Sequence, residues 1–316
     1  MSKKGSLLWV ACLLVASPHL TAAEPLPGDT DRNPGRDHFP AKKPLEKEKE
    51  SVKQRGDPPP RKVRHLDGTI DGWSVADSPN FRVFHTETPE FAEKVAQAAE
   101  RTRSAMQRKW FGDADEDWSF RCEIYLHPTA RDFSWATGAP TSIPGYTRTR
   151  ADGDRVLSRR VDLSCEDSNL LDAVLPHEIS HAVLAGRFGW PAIPHWVNEG
   201  MAVLSEPQEK IDAHLRRLPR YRRAGDLFPA EQLLELQEYP ERRLMGVFYA
   251  ESVSLVNFLA QEKGPKTFCR FMRDGLQYGF EKALKSNYGW DLDELDSRWR
   301  NYAFKEVSSS SAEKAK

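Results

Sequence analysis

Two histidines bracket a glutamate in His177-Glu178-Ile179-Ser180-His181, inside a stretch from Leu170 to Arg187 whose apolar residues recur at helical spacing. Residues at i and i+4 share one helix face, one turn apart, so both imidazoles can reach a single metal ion. Glu178 then stands beside the metal without being a ligand, where its carboxylate can take a proton from a water acidified to a pKa of roughly 7. The pattern HExxH arises by chance in roughly one chain in a hundred of this length, so its surroundings have to support it. Catalytic zinc usually takes three protein ligands and keeps one position open, so a third ligand is expected downstream. Eighteen positions after His181, in a second helical segment, stands Glu199 within Trp196-Val197-Asn198-Glu199-Gly200-Met201-Ala202. Gly200 beside it allows the two helices to approach closely, and Pro194 suits the first turn of its helix.

HExxH followed by W-x-N-E-G-x-A resembles the gluzincin zinc metallopeptidases, the thermolysin-like and aminopeptidase-like enzymes, and most closely the small peptidase MA-like domains. The likeness covers residues 170 to 206, and more loosely Phe248-Tyr249-Ala250-Glu251-Ser252 and the stretch from Asp293 to Trp299. It implies one zinc ion held by His177, His181 and Glu199, with Glu178 as general base in peptide hydrolysis. It also implies that an edge strand before the HExxH helix pairs with extended substrate, a task that falls to the region 155 to 163. The chain departs from the pattern in two places. The gap from His181 to Glu199 is one residue shorter than in the aminopeptidase-like group, and Val203 stands where thermolysin-like enzymes have an Asp that orients a ligand histidine. The partners of the ligands are therefore unassigned. His195, four residues before Glu199, is an alternative ligand or substrate contact. A metzincin pattern is excluded, because Leu184 and Arg187 occupy its Gly and His positions.

Hydrolysis also needs a donor for the developing oxyanion. Tyr249, at the opening of a downstream helix, is the first candidate, with a core tyrosine as the plain alternative; Tyr146 and His214 are weaker ones. Arg216, Arg217, Arg220, Arg222 and Arg223 form a basic cluster that reads as a solvated helix face. Turned toward a cleft, the cluster would favour acidic substrates or a carboxyl terminus.

These groups need a frame. Phe81 to Thr86 alternates like a half-buried strand, Pro89 to Phe111 carries a helical stripe closed by Gly112, and Cys122 to Leu126 reads as a strand. Tyr146 to Arg150 and Arg155 to Leu163 predict a hairpin turned at Asp152-Gly153. Helical periodicity then dominates: Leu170–Arg187, Pro194–Glu206, Met245–Glu262, Pro265–Tyr278 and Asp291–Phe304. Strands before helices give an α+β fold, a small mixed sheet followed by a mainly helical half, with the zinc cleft between them. Pro176, just before His177, should begin or kink its helix.

Composition narrows the function. With 46 Lys+Arg against 47 Asp+Glu, the chain has no overall electrostatic drive toward nucleic acid or an anionic membrane. Residues 1–23 read as an export signal: Lys3 and Lys4, an apolar run from Leu7 to Ala16 too short to span a bilayer, and the small-residue site Thr21-Ala22-Ala23. Residues 24–66 hold 8 prolines and only 7 hydrophobic residues, and read as a disordered charged tether. The catalytic domain is expected over 67–305 and a disordered tail over 306–316. The expected setting is periplasm, cell envelope or extracellular space, with no stable membrane span after processing and a peptide or protein as partner. Oligomeric state is left open. In such a compartment Cys122 and Cys165 could pair, with Cys269 a buried thiol. Two rival readings stay open: a non-catalytic zinc-containing binding module, and a hydrolase of a non-peptide amide.

Overall fold

The computed structural model describes Leu8–Leu13 and residues 61–112, 117–152, 155–188 and 193–304. The chain divides into one unit made of Met1–Val15 with Arg61–Lys316, and a second, Ala16–Pro60, which lies outside the described residues. Most of the expected export signal and tether, and the expected tail, also lie outside them.

In chain order the elements are β1 (Leu8–Leu13), β2 (Arg64–His65), β3 (Ser74–Asp77), β4 (Phe81–His85), α1 (Pro89–Met106), β5 (Cys122–His127), α2 (Ala130–Thr137), β6 (Gly145–Asp152) and β7 (Arg155–Ser164). Helices follow: α3 (Leu175–Phe188), α4 (His195–Val203), α5 (Gln208–Leu215), α6 (Leu218–Ala224), α7 (Ala230–Glu235), α8 (Met245–Lys263), α9 (Pro265–Tyr278), α10 (Phe280–Tyr288) and α11 (Leu292–Ala303). The fold is α+β, a mixed sheet followed by a mainly helical region. Among the described residues no helix is long and apolar enough to cross a membrane.

The sheet runs β1-β6-β7-β5-β4-β3-β2. β6 and β7 form the antiparallel hairpin, while β5 lies parallel to both β4 and β7. This order corrects one expectation: β7 is flanked by β6 along 155–163 and by β5 over Arg160–Ser164, so it is an inner strand and not the sheet edge expected to receive a substrate strand. The strand beyond it is β6, whose outer side pairs with β1 from Leu8↔Ala151 to Leu13↔Tyr146.

The same register removes the disulfide. Cys122 opens β5 and pairs across to Phe81, whereas Cys165 follows Ser164 beside His127 at the other end of that strand. At about 3.3 Å per residue the two are a strand length apart, far beyond the roughly 7 Å a disulfide tolerates. Cys122, Cys165 and Cys269 are all free thiols.

Helix boundaries follow from local chemistry. Thr88 caps α1 by accepting the Phe91 N–H, with Pro89 in its first turn. The helix continues as a π-helical turn over Gln107–Phe111 and stops at Gly112, which has φ 67°. A second π-helical turn, Leu170–Val174, leads into α3, and the N–H of Leu175 bonds Leu170 O. Pro176 has no N–H to give Asp172, so a plain α-helix through it would orphan that carbonyl. The wider turn places Pro176 at the start of α3, where its missing donor does least harm.

Nearly every position of α8 from Met245 to Leu259 is buried, because α4, α5, α9 and α11 pack around it. The C-terminal motif serves this packing. Trp299 Nε1 donates to Ser254 Oγ at 3.1 Å, Arg300 Nη1 to Glu251 Oε1 at 2.6 Å, and Asp296 Oδ1 accepts from Ala230 N at 3.0 Å. Burial pushes Glu251 up to about 7 against the pull of Arg300 and the Phe228 N–H. Arg300→Ala should therefore destabilise the fold by about 2 kcal/mol and no more, because the abandoned carboxyl can take up a proton instead of remaining a bare buried charge. Urea unfolding at pH 7 checks this, and an unchanged midpoint would refute the pinning role.

Candidate metal centre

The site forms where the sheet meets the helices. α3 lies across β6 and β7 on one side and contacts α1 and α4 on the other, so a residue on α3 can face strand and helix at once. Gly200 brings α4 against α8: a Cβ there would stand 2.6 Å from Ser252 O and 2.7 Å from Val256 Cγ2. That approach carries Glu199, one residue earlier, over the α3 histidines.

His177, His181 and Glu199 are all buried, with ligand atoms within 4.8 Å of one another. Glu199 Oε2 stands 3.3 Å from His177 Nε2 and 3.8 Å from His181 Nε2. These three atoms are sealed from solvent and none has a hydrogen-bond partner. Their companions all do. His177 Nδ1 donates to Glu206 Oε1 at 2.8 Å, His181 Nδ1 to Asn198 Oδ1 at 3.0 Å, and Glu199 Oε1 accepts from Tyr239 OH at 2.5 Å. Because Glu206 and Asn198 present oxygens, each imidazole carries hydrogen on Nδ1, which makes Nε2 the nitrogen that faces inward and could bind a metal once free of a proton. Tetrahedral zinc with bonds near 2.0–2.1 Å sets its ligand atoms about 3.4 Å apart, close to the two separations from Glu199, so the chemistry of this donor set suits zinc. Three converging buried atoms without partners, one of them anionic, also carry a desolvation cost that a cation would relieve.

Charges at the site follow from these neighbours. Burial works against a charged His177, but the carboxylates of Glu199 and Glu206 prevail and raise it to about 10. Burial pushes His181 down to about 4. Glu199 is held below the usual carboxylate range: burial opposes its ionisation, yet His181, His177 and the Tyr239 hydroxyl outweigh it.

Glu178 sits next to the triad but outside it, and Thr147 on β6 donates to its Oε2 at 2.5 Å and to its backbone carbonyl at 3.1 Å. Oε1 is buried with no partner. Burial raises this carboxyl to about 8, into the range where a group can accept and return a proton near neutrality. Gly145 makes room for it, since a Cβ there would lie 2.8 Å from Glu178 Cγ and 2.9 Å from Oε1.

The other sequence candidates fall into different places. His195 stacks on Tyr239 with ring centroids 4.1 Å apart and is not part of the converging group. Tyr146 occupies the opposite sheet face from Thr147, packed near Phe133, Ala139 and Ile143, as strand alternation demands. Tyr249 is buried on α8 between Phe248 and His214, its ring 6.0 Å from the latter. Thr147, Asn198, Glu206 and Tyr239 escaped the sequence reading as site residues. Asn198 had a signal as the Asn of W-x-N-E-G beside Glu199, whereas Glu206 lies past the end of α4 at Val203, where helical spacing does not place it. Tyr239 arrives from an irregular segment forty residues beyond Glu199, which no spacing rule reaches.

The outward hydrogen bonds orient the ligands, so weakening one should loosen the metal. Glu206→Gln replaces an anionic acceptor of His177 Nδ1–H by a neutral one and is expected to weaken zinc binding about 10-fold to 100-fold. Competition with a chromophoric chelator reads this directly, and an affinity within twofold of wild type would show that Glu206 does not support the ligand.

No family model matches the chain, and no curated protein does. Among solved structures, the chain is similar to the M1 zinc metallopeptidase from Deinococcus radiodurans at 14% identity and a TM-score of 0.37, covering 77% of this chain and 52% of that one. A point mutant of that enzyme matches at 13% identity and a TM-score of 0.37, with the same coverage. The mutant bound to a Tyr-Ser-Ala substrate matches at 14% identity and a TM-score of 0.36. The chain thus spans about half the length of these neighbours.

Proposed function

We propose that the protein is an exported gluzincin-type zinc peptidase. The observation that carries this reading is the convergence of three partnerless buried donors, His177 Nε2, His181 Nε2 and Glu199 Oε2, with an unengaged carboxylate oxygen of Glu178 beside them. A purely structural zinc site has no need of that fourth group.

When bound, zinc would supply Lewis acidity and lower the pKa of water at the site. The remaining work belongs to the chain. Glu178 Oε1 takes the proton of the attacking water and passes it to the leaving amine, while Thr147 fixes the other oxygen and so the carboxylate's direction. Asn198 and Glu206 hold the imidazole tautomers, and Tyr239 holds Glu199, so these three act as positioning residues. Tyr249 is the proposed oxyanion donor, supported by its place on α8, the helix that packs on α4. β6 is the strand suited to receive extended substrate once the export signal, whose Leu8–Leu13 lies along its outer side, has been removed.

The test is cleavage of a mixed peptide library by the zinc-loaded protein. Defined cleavage that a chelator stops and zinc restores is the expected result. If one zinc is held and no peptide is cut, a binding module or a hydrolase of non-peptide amides takes precedence.

A further inference from the structure

Of the five clustered arginines, Arg216, Arg220, Arg222 and Arg223 are exposed, whereas Arg217 is half-buried. The chain from Gln208 through Arg217 is continuously helical, with Arg216 at φ −60°, ψ −20° and Arg217 at φ −82°, ψ −20°. Lys210, His214 and Arg217, at i, i+4 and i+7, therefore share one face, and all three are half-buried. This face adjoins the metal centre. The His214 ring lies against Tyr249, and His214 feels the charges of Glu206 and His177 as well as those of Arg217 and Lys210.

What the stripe lacks is an anion. Among the described residues neither Lys210 nor Arg217 has a side-chain hydrogen bond or ion pair. His214 Nδ1 is sealed from solvent without a partner. The carboxylate whose charge His214 feels, that of Glu206, is hydrogen-bonded to His177. Half-buried cations without counter-charge are costly unless something completes them. Guanidinium, ammonium and imidazole N–H in a row along two helical turns match the oxygens of a carboxylate.

We propose that Lys210, His214 and Arg217 form a subsite beside the metal centre that receives a carboxylate of the bound peptide, either its C-terminal group or an acidic side chain. This rests on the peptidase reading and adds to it a substrate class.

The test separates the two sources and the two readings. The full chain, zinc-loaded and carrying Glu178→Gln so that substrate persists, is titrated into fluorescent peptides in isosteric pairs: free C-terminus against C-terminal amide, and Asp or Glu against Asn or Gln. Binding at least about tenfold tighter for the carboxylate of one pair is expected, as for a hydrogen-bonded charge. The pair that discriminates names the source. Arg217→Ala should bring that ratio to within about threefold, Arg217→Lys should retain part of it, and Arg223→Ala on the exposed side should leave it unchanged. Equal binding within both pairs, or a ratio that survives Arg217→Ala, overturns the subsite. Cleavage of peptides by the wild-type chain without discrimination would sink the subsite alone. Neither binding nor cleavage of any peptide would sink the peptidase reading with it.

Discussion

Glu178→Gln should lower kcat/KM for peptide hydrolysis by about 10³-fold to 10⁴-fold while the protein still binds one zinc ion with near-normal affinity. The upper part of the usual range for proton-transfer catalysis is expected because one carboxylate serves twice, as base toward water and as acid toward the leaving amine. The substitution is clean. Glutamine has the shape of glutamate, so it meets the same tight wall at Gly145, and its amide oxygen can still accept from Thr147. Glu178 is not one of the three residues whose ligand atoms converge. What the substitution removes is the ability of Oε1 to take a proton, an ability that burial tunes by raising the carboxyl to about 8. Single-turnover assays on a cleaved library peptide, with zinc measured on the same sample, decide the matter. Activity within tenfold of wild type at full zinc occupancy would remove Glu178 from the mechanism.

The sequence carried the centre of this site because its chemistry is local. HExxH puts two histidines and a glutamate on one turn, and the W-x-N-E-G segment puts a carboxylate beside the glycine that brings its helix close. Helix content was legible for the same reason: α1, α9 and α11 have clear apolar periodicity, while α8 is apolar on nearly every side. Two kinds of feature were not. Strand order is non-local, so alternation revealed β6 and β7 as a hairpin but could not say which of them lies inside, and the substrate strand and the disulfide were both misplaced as a result. Partners of the ligands arrive from far along the chain. Thr147 comes from β6 and Tyr239 from an irregular stretch, each set in place only when the sheet and α8 have packed. Glu251, Asp296 and Trp299, quoted from the looser part of the resemblance, hold α8, α7 and α11 together.

Zinc binding should stabilise the fold strongly, and increasingly so as pH rises from 7 to 9. At a free zinc concentration of 1,000 Kd the linkage contribution is about 4 kcal/mol, which for a domain of this size raises Tm by about 8–16 °C over the chelated protein. The pH dependence comes from what the metal displaces. In the metal-free site Glu199 and Glu206 raise His177 to about 10 although burial opposes it, so near neutrality that imidazole carries a second proton, on the nitrogen that would bind zinc. Binding must release that proton, and apparent zinc affinity should therefore climb about tenfold per pH unit between pH 7 and pH 9. The metal-free protein moves the other way. A folded pKa above the unfolded one contributes stability that is complete below the unfolded value and is lost as pH passes through the folded value. For His177 that window runs from 6.5 to about 10, and for Glu178, raised by burial, from 4.5 to about 8. Metal-free stability should accordingly fall across pH 7–9 while zinc affinity rises, and the gap in Tm between the two forms should widen. Thermal unfolding with buffered zinc and with chelator, at each pH, reads both slopes, and calorimetry in buffers of different ionisation enthalpy counts the proton. A zinc affinity that is flat over this range would mean that His177 gives up no proton to the metal, and the proton-linked account of the pH dependence would fall.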